Sequence, residues 1–242
     1  MLVADRSAVL ARLARAIATA DPQWSLSARL CTGGVQVLGV GGGAITVANA
    51  EPERLTLHAT DTVAARLEEL EEVLREGPSL DAYTSGSPVL ADLSDESSTQ
   101  RWPVFTGAAL RDIGSVTVLA VPMRPDRETV GGFAIHDLPA TPVEELTGSA
   151  QFLADAIAIA LVRDTGRWDM TAEDTWPARA RVHQAIGMVI TQLRVSPEDA
   201  EALLRAHAYA LDTTLADAAD HVVARELVFR YDADDDIRNG ES

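Results

Sequence analysis

The chain has 242 residues, 47% of them hydrophobic and 24% charged, with a net charge of −17. That is enough apolar material for one large core and one small one, while no run of ~18 apolar residues stands ready to span a bilayer. A single cysteine, Cys31, excludes an internal disulfide and a multi-thiolate metal site; with no cleavable signal pattern around the early Asp5, the expected location is the cytoplasm.

From Asp5 to Ala20, the residues Val9, Leu13, Ala16, Ile17 and Ala20 share one helical face, and Pro22 ends the pattern. A second helical stretch runs from Trp24 to Val40, with Leu26, Leu30, Val37 and Leu38 as core candidates and Cys31 packing as a small hydrophobe. Gly41-Gly42-Gly43 lacks the Gly-Lys-Ser/Thr ending of a phosphate loop and precedes a strand, Ala44 to Ala48, so it reads as a helix-to-strand turn. Leu55, Leu57 and Ala59 alternate with polar neighbours and supply the hairpin partner of that strand. Thr62 to Glu76 is helical again, burying Val63, Leu67, Leu70 and Leu74; its glutamates 68, 69, 71 and 72 are expected on a solvated face.

Gly77-Pro78-Ser79 breaks that helix, and Pro88 to Leu93 makes a short edge-type strand with Pro at its start. A polar loop leads to Arg101-Trp102-Pro103 and a helix ending near Arg111. Ser115 to Pro122 and Val130 to Asp137 are the two most strand-like runs, joined by a polar turn. A helix from Pro142 to Asp164 follows, apolar on two sides: Leu146, Ala150, Leu153, Ile157 and Leu161 along one, Phe152 and Ile159 along another. Such a helix needs two partners, the sheet and, as the second, the same helix or the Asp5–Ala20 helix of another subunit. The order is α+β on an antiparallel sheet.

The last quarter is all helical. Val182, Ala185, Ile186, Val189, Ile190 and Leu193 recur at i, i+3, i+4, i+7 spacing. Ser196-Pro197-Glu198-Asp199 starts a second helix with a cap, a proline at its first position and carboxylates at the positive end of the dipole; its stripe is Ala200, Leu203, Leu204, His207, Ala208 and Leu211. Thr214, with Asp217 three positions on, starts a third that buries Leu215, Ala218, Ala219, Val222 and Val223. Gly187 costs about 1 kcal/mol against Ala in the first of these helices, which points to something close to the backbone there, a crossing helix or a nucleic acid. Residues 177–231 hold six Arg against seven acids, a balance of −1; the tail from Asp232 adds −4, which leaves −12 for residues 1–176. A nucleic-acid contact therefore has to come from a local Arg cluster and not from a broad positive field.

Glu76-Gly77-Pro78-Ser79-Leu80-Asp81-Ala82, Pro88-Val89 with Asp92-Leu93, Arg101-Trp102-Pro103, and Gly114-Ser115-Val116 through Ala120-Val121-Pro122 are similar to the GAF sensor domain, in the version that actinobacteria fuse ahead of ANTAR. Arg181-Val182-His183-Gln184-Ala185-Ile186-Gly187-Met188, Pro197 through Arg205, and Leu215-Ala216-Asp217-Ala218-Ala219 closely resemble the ANTAR domain, a three-helix RNA-binding module of transcription antiterminators. The two resemblances together imply an α+β GAF-like sensor over residues 1–165 with dimerisation helices at both ends. After it come a linker over 166–176, an all-α ANTAR-like domain over 177–231 and an acidic tail over 232–242 that is expected to be disordered.

The function they imply is that of a dimeric, signal-responsive cytoplasmic regulator that binds paired RNA hairpins in a nascent transcript to control termination. Arg179, Arg181, His183, Gln184 and Arg205 lie off the apolar stripes and are the expected RNA contacts, Arg for phosphate and Gln for a base edge; plain surface exposure is the other reading of each. Asp92, Arg101 and Trp102 read first as an ion pair and packed aromatic that brace a loop, and second as the lining of a pocket for a small GAF ligand. Where the ANTAR family often has a basic residue, this chain has Ile186 and Thr213-Thr214. That favours an alternative, a dimeric protein-interaction or ligand-sensing module with weak or no RNA binding of its own. No nucleophile elbow or metal-ligand spacing occurs and the five His are scattered, so neither enzymatic activity nor a metal or cofactor is expected.

Overall fold

The computed structural model describes residues 3–48, 54–126, 128–163 and 176–230, with side chains described from residue 6 and from residue 181 in the helices that begin at 3 and 176. It divides into two compact units, Met1–Thr171 and Ala172–Ser242. The linker and tail expected over 166–176 and 232–242 lie essentially outside the described residues, which resume at Trp176.

The larger unit runs α1 (Val3–Thr19), α2 (Leu26–Leu38), β1 (Gly42–Ala48), β2 (Arg54–Ala59), α3 (Thr62–Leu74), α4 (Pro78–Ser85), β3 (Val89–Asp92), α5 (Glu96–Arg101), α6 (Pro103–Asp112), β4 (Thr117–Met123), β5 (Gly131–His136) and α7 (Val143–Arg163). Its five strands form one antiparallel sheet in the order β2-β1-β5-β4-β3. The register sets Ile45 and Val121 on either side of Phe133, and alternate residues of each strand point to opposite faces. On one face Ile45, Leu119, Val121, Phe133 and Ile135 pack against Leu30, Cys31 and Val35 of α2 and Leu146, Ala154 and Ile157 of α7. On the other, Ala91, Val118, Ala120 and Ala134 meet Leu67 and Leu70 of α3 and Trp102, Phe105 and Ala108 around α6. Small strand residues opposite large helix residues fill this second layer, so apolar side chains occupy the space between the sheet and the elements that cover it.

Two helices escape the sequence reading. Pro78, taken as a breaker, is the first residue of α4, where its missing N–H costs nothing, and Gly77 precedes it at φ 147, a conformation closed to other residues. The stretch read as a polar loop contains α5, which has no apolar stripe; it is pinned instead by the Ser98 hydroxyl donating to the Asp92 carbonyl at 2.6 Å and by Thr106 donating to the Ser98 carbonyl at 3.1 Å. The turn expected at Gly41–Gly43 is made by Gly39 in the left-handed region, and Gly42 and Gly43 already belong to β1.

Among the described helices α7 is long and apolar enough, by length and composition, to cross a bilayer. Here Leu146, Ala150, Leu153, Ala154, Ile157, Ala158 and Leu161 are buried in a globular core. Part of its second side is covered within the same subunit: Phe152 packs against the cluster that Val9 and Leu13 of α1 form with Leu153, and the Arg6 guanidinium lies 5.3 Å from the centre of the Phe152 ring. Ile159 and Val162 stay exposed.

The smaller unit consists of α8 (Trp176–Leu193), α9 (Pro197–Ala210) and α10 (Leu215–Val223). Its core is Ala185, Val189 and Leu193, then Ala200, Leu204 and Ala208, then Leu215, Ala218, Ala219 and Val222. Ser196 accepts from the Asp199 N–H at 3.1 Å and Thr214 from the Asp217 N–H at 3.0 Å, so both caps form as the sequence requires. Past α10 the chain folds back over α8 and α9: the Phe229 N–H donates to Gln192 Oε1 at 3.0 Å, and the Phe229 ring meets His207 edge-on at 5.6 Å. Leu211, expected on the α9 stripe, is 61% exposed, because the helix stops at Ala210 and the helical period no longer sets its direction.

Candidate nucleic-acid interface

The outward side of α8 carries Arg181, His183, Gln184, Gly187 and Thr191, all exposed. It follows from the stripe: once Ala185, Val189 and Leu193 point inward, residues about half a turn away must point out. A Cβ placed on Gly187 would meet nothing within 4 Å, so among the described residues no crossing helix explains this glycine. The backbone there is open, and its carbonyl accepts from Thr191 Oγ1 at 2.9 Å.

The arginines differ in availability. Arg181 is paired with Asp220 of α10 at 3.0 Å, with both side chains about half exposed; a pair of this kind contributes ~0–1 kcal/mol and is readily exchanged for a phosphate. Arg205, expected as an exposed contact, is instead bound to Glu201 one turn back along α9, and its side chain is only 13% exposed. It acts as a strut on the flank of the helix, because its aliphatic stem is covered as well as its charge matched. The side chain of Arg179 lies outside the described residues. Arg194 and Arg225 are exposed and hold positive φ, 56° and 62°, at the ends of α8 and α10.

Asp92, Arg101 and Trp102 each have hydrogen-bond partners among their neighbours. Arg101 and the Trp102 indole N–H both reach Asp81 Oδ2 of α4, at 2.7 and 3.1 Å, and the guanidinium stacks on the indole at 4.8 Å. Trp102 is 3% exposed within the core. Asp92 accepts from the hydroxyl and the N–H of Ser94, at 2.6 and 2.9 Å, bonds that hold its carboxyl below the usual range. These bonds brace the segment around Arg101 and Trp102 against α4, with Asp81 and not Asp92 as the partner of Arg101.

Two polar clusters were missed. Glu68 and Glu71, expected in solvent, are 4% and 1% exposed. Glu71 takes the N–H groups of Ser79 and Leu80 at 3.0 and 2.8 Å and faces Arg54 of β2 at 3.4 Å, while Glu68 accepts from the Ser79 hydroxyl at 2.8 Å. Burial, and for Glu71 also the charge of Glu68, pushes both carboxyls up, that of Glu71 to about 8. Elsewhere, Asp61 caps α3 through the Ala64 N–H at 2.9 Å and meets Nε2 of buried His136 at 3.1 Å. Burial works to raise the Asp61 carboxyl, yet the Ala64 N–H, the Thr60 hydroxyl and His136 together hold it below the usual range. Gly42 makes this meeting possible, since any Cβ there would fall on the Asp61 carboxylate. Cys31 is buried and its thiol is pushed up to about 12, chiefly by burial, which leaves it unreactive.

A model of the ANTAR domain family matches residues 172–223. No curated protein matches the chain. Similar solved structures include the GAF domain of A. Aeolicus nlh2 in an inactive state, 14% identical with TM-score 0.45, covering 64% of this chain and 94% of that one. The GAF domain of a putative sensor histidine kinase from Pseudomonas syringae pv. tomato is 16% identical with TM-score 0.42, covering 70% and 93%. The GAF domain of the Acinetobacter phosphoenolpyruvate-protein phosphotransferase is 15% identical with TM-score 0.46, covering 69% and 97%. Residues 172–223 thus match the ANTAR domain family, and they follow an α+β domain built on a five-stranded antiparallel sheet.

Proposed function

We propose that this protein is a cytoplasmic, dimeric regulator that binds RNA hairpins through its ANTAR domain to control transcription termination, under the influence of its GAF-like domain. The observation that supports this most is the open face of α8 on a three-helix unit of the RNA-binding kind: Arg181 for phosphate, His183 and Gln184 for base edges, and bare backbone at Gly187, where RNA can approach closely. Arg205 is left out of this face. Exposed Leu10, Ile159 and Val162 on α1 and α7 support pairing of two copies, which would present two three-helix units to two hairpins.

Titration of a dual-hairpin transcript with the full chain in a gel-retardation series tests it. Specific binding is expected, weakening as salt rises, and Arg181→Glu is expected to lower affinity by about tenfold or more. Binding that Arg181→Glu and salt leave unchanged would remove the proposal. The alternative, a dimeric interaction module without RNA binding of its own, is favoured by the carboxylate partners of Arg181 and Arg205 and by Ile186, Thr213 and Thr214 at positions where a basic residue is common; it predicts no retardation at any salt concentration. A small ligand between sheet and loops has less support, since that layer is filled by Trp102, Phe105 and their neighbours.

A further inference from the structure

A groove on the surface of the larger unit has the form of a docking site. Between α1 and α2 lies an open groove of about 420 Å³ with a floor of Ala11, Ala16 and Val37 and a rim of Arg12, Arg15 and Gln36. It exists because α2 carries Gly33 where α1 crosses: a Cβ there would stand 3.2 Å from Leu13 and 3.4 Å from Ala16, so the helices close up, and the small residues beside the crossing leave a trough. From Ala11 to Thr19 it extends over two turns of α1, about 12 Å.

Its rim is basic on an acidic chain. The protein carries −17; Arg54, Arg66, Arg101 and Arg111 of the same unit each face a carboxylate, while Arg6 lies over the Phe152 ring and Arg124 donates to the Gly86 carbonyl. Arg12 and Arg15, one turn apart on one face, have no carboxylate partner among the described residues. The Thr19 hydroxyl turns back onto the carbonyls of Arg15 and Ala16, so the guanidinium groups and Gln36 are what the rim offers.

We propose that this groove docks an acidic amphipathic helix of a partner protein, with its carboxylates on Arg12 and Arg15 and its apolar ridge over Ala11, Ala16 and Val37. Length, shape and charge agree on this occupant. A second copy using the same groove would set Arg12 and Arg15 against their own duplicates, which like-charge repulsion disfavours. A small molecule would be poorly covered, since the α1 wall is largely exposed and small ligands require 70–90% burial. RNA would find two cations but no aromatic ring on which to stack a base.

The test uses the full chain and two fluorescein-labelled amphipathic helical peptides, alike in their leucine ridge and carrying either Glu or Lys beside it, read by fluorescence anisotropy across a salt series. The Glu peptide is expected to bind with an affinity that falls as salt rises, and the Lys peptide not to bind. Arg12→Glu with Arg15→Glu should weaken the Glu peptide by about tenfold or more and admit the Lys peptide. Ala11→Trp, which fills the trough and leaves the charges alone, should weaken the Glu peptide too. Arg12, Arg15 and Ala11 are exposed, so an unaltered melting profile verifies that the variants fold. The proposal is overturned if the Glu peptide does not bind, if both peptides bind alike, if the variants bind as the parent does, or if decanoate or an RNA hairpin displaces the peptide. Gel retardation with the same variants reports on the RNA reading separately, since none of the three residues lies in the ANTAR domain.

Discussion

At the residue scale, Glu68 and Glu71 show where sequence patterning loses its grip. Four glutamates among residues 68 to 72 look like a solvated face on a lone helix. In the fold, two of them turn to the start of another helix: Glu71 receives the free N–H groups of α4 and Glu68 the Ser79 hydroxyl, and Gly77 clears room for the Glu71 side chain, which a Cβ would strike. The only local hint was Gly77-Pro78-Ser79, a helix start that also reads as a helix stop. Two buried carboxylates beside Arg54 cannot both ionise cheaply, so the pair retains a proton in the folded state that the unfolded chain releases near its ordinary value of about 4.5. The folded state therefore binds more protons between that value and about 8, and stability falls as pH rises through this window. Urea unfolding midpoints followed from pH 5 to 9 should decline in the parent protein. Glu68→Gln keeps an acceptor for the Ser79 hydroxyl and removes one charge, so its profile should be flatter and its midpoint at pH 8 higher. A parallel decline in the variant would mean that the titrating group lies elsewhere.

At the element scale, what the sequence made legible was whatever rests on periodicity and caps. Nearly every strand and helix with an apolar pattern is where its residues imply, including Ser196 and Thr214 at their helix starts. What stayed hidden was decided by side-chain partners that an apolar period does not register. Helix α5 is held by side-chain bonds to Asp92 and Ser98, Arg205 is claimed by Glu201, and Phe152 is covered by α1. His183 and Gln184 are exposed, as their place opposite the stripe implies. Arg205 is less so, because a neighbour of opposite charge intervenes. Gly187 offers a test that separates stability from binding. With nothing within 4 Å of its would-be Cβ, Gly187→Ala should stabilise the ANTAR unit by about 1 kcal/mol through helix propensity alone. Gly187→Gln should also fold normally, yet its side chain would stand on the backbone that RNA is proposed to approach, so retardation of the dual-hairpin transcript should drop by about tenfold or more. A variant that binds as well as the parent would show that the glycine is not at the contact.

At the scale of the molecule, the two units have cores of very different quality, and their stabilities should differ accordingly. The GAF-like unit buries both faces of a five-stranded sheet, with Phe105, Phe133, Ile135 and Leu153 fully enclosed. The ANTAR unit relies on a core in which Ala185, Ala200, Ala208, Ala218 and Ala219 supply about half of the members, so its helices pack closely but remove little apolar surface from water. Calorimetry of the full chain is expected to give two transitions, with the smaller one at the lower temperature. Thr214→Ala removes a cap worth about 1 kcal/mol and should lower only that transition, by about 4–8 °C for a unit of this size. Leu153→Ala opens a cavity where α7 meets α1 and costs about 2–5 kcal/mol, which should lower only the larger transition. If either substitution moved both transitions together, the two cores would be melting as one cooperative body, and a signal received by the GAF-like unit could reach the RNA-binding unit as a change in stability. If each moves only its own, the units are thermodynamically independent, and the proposed control of the ANTAR domain is not carried by a shared loss of stability.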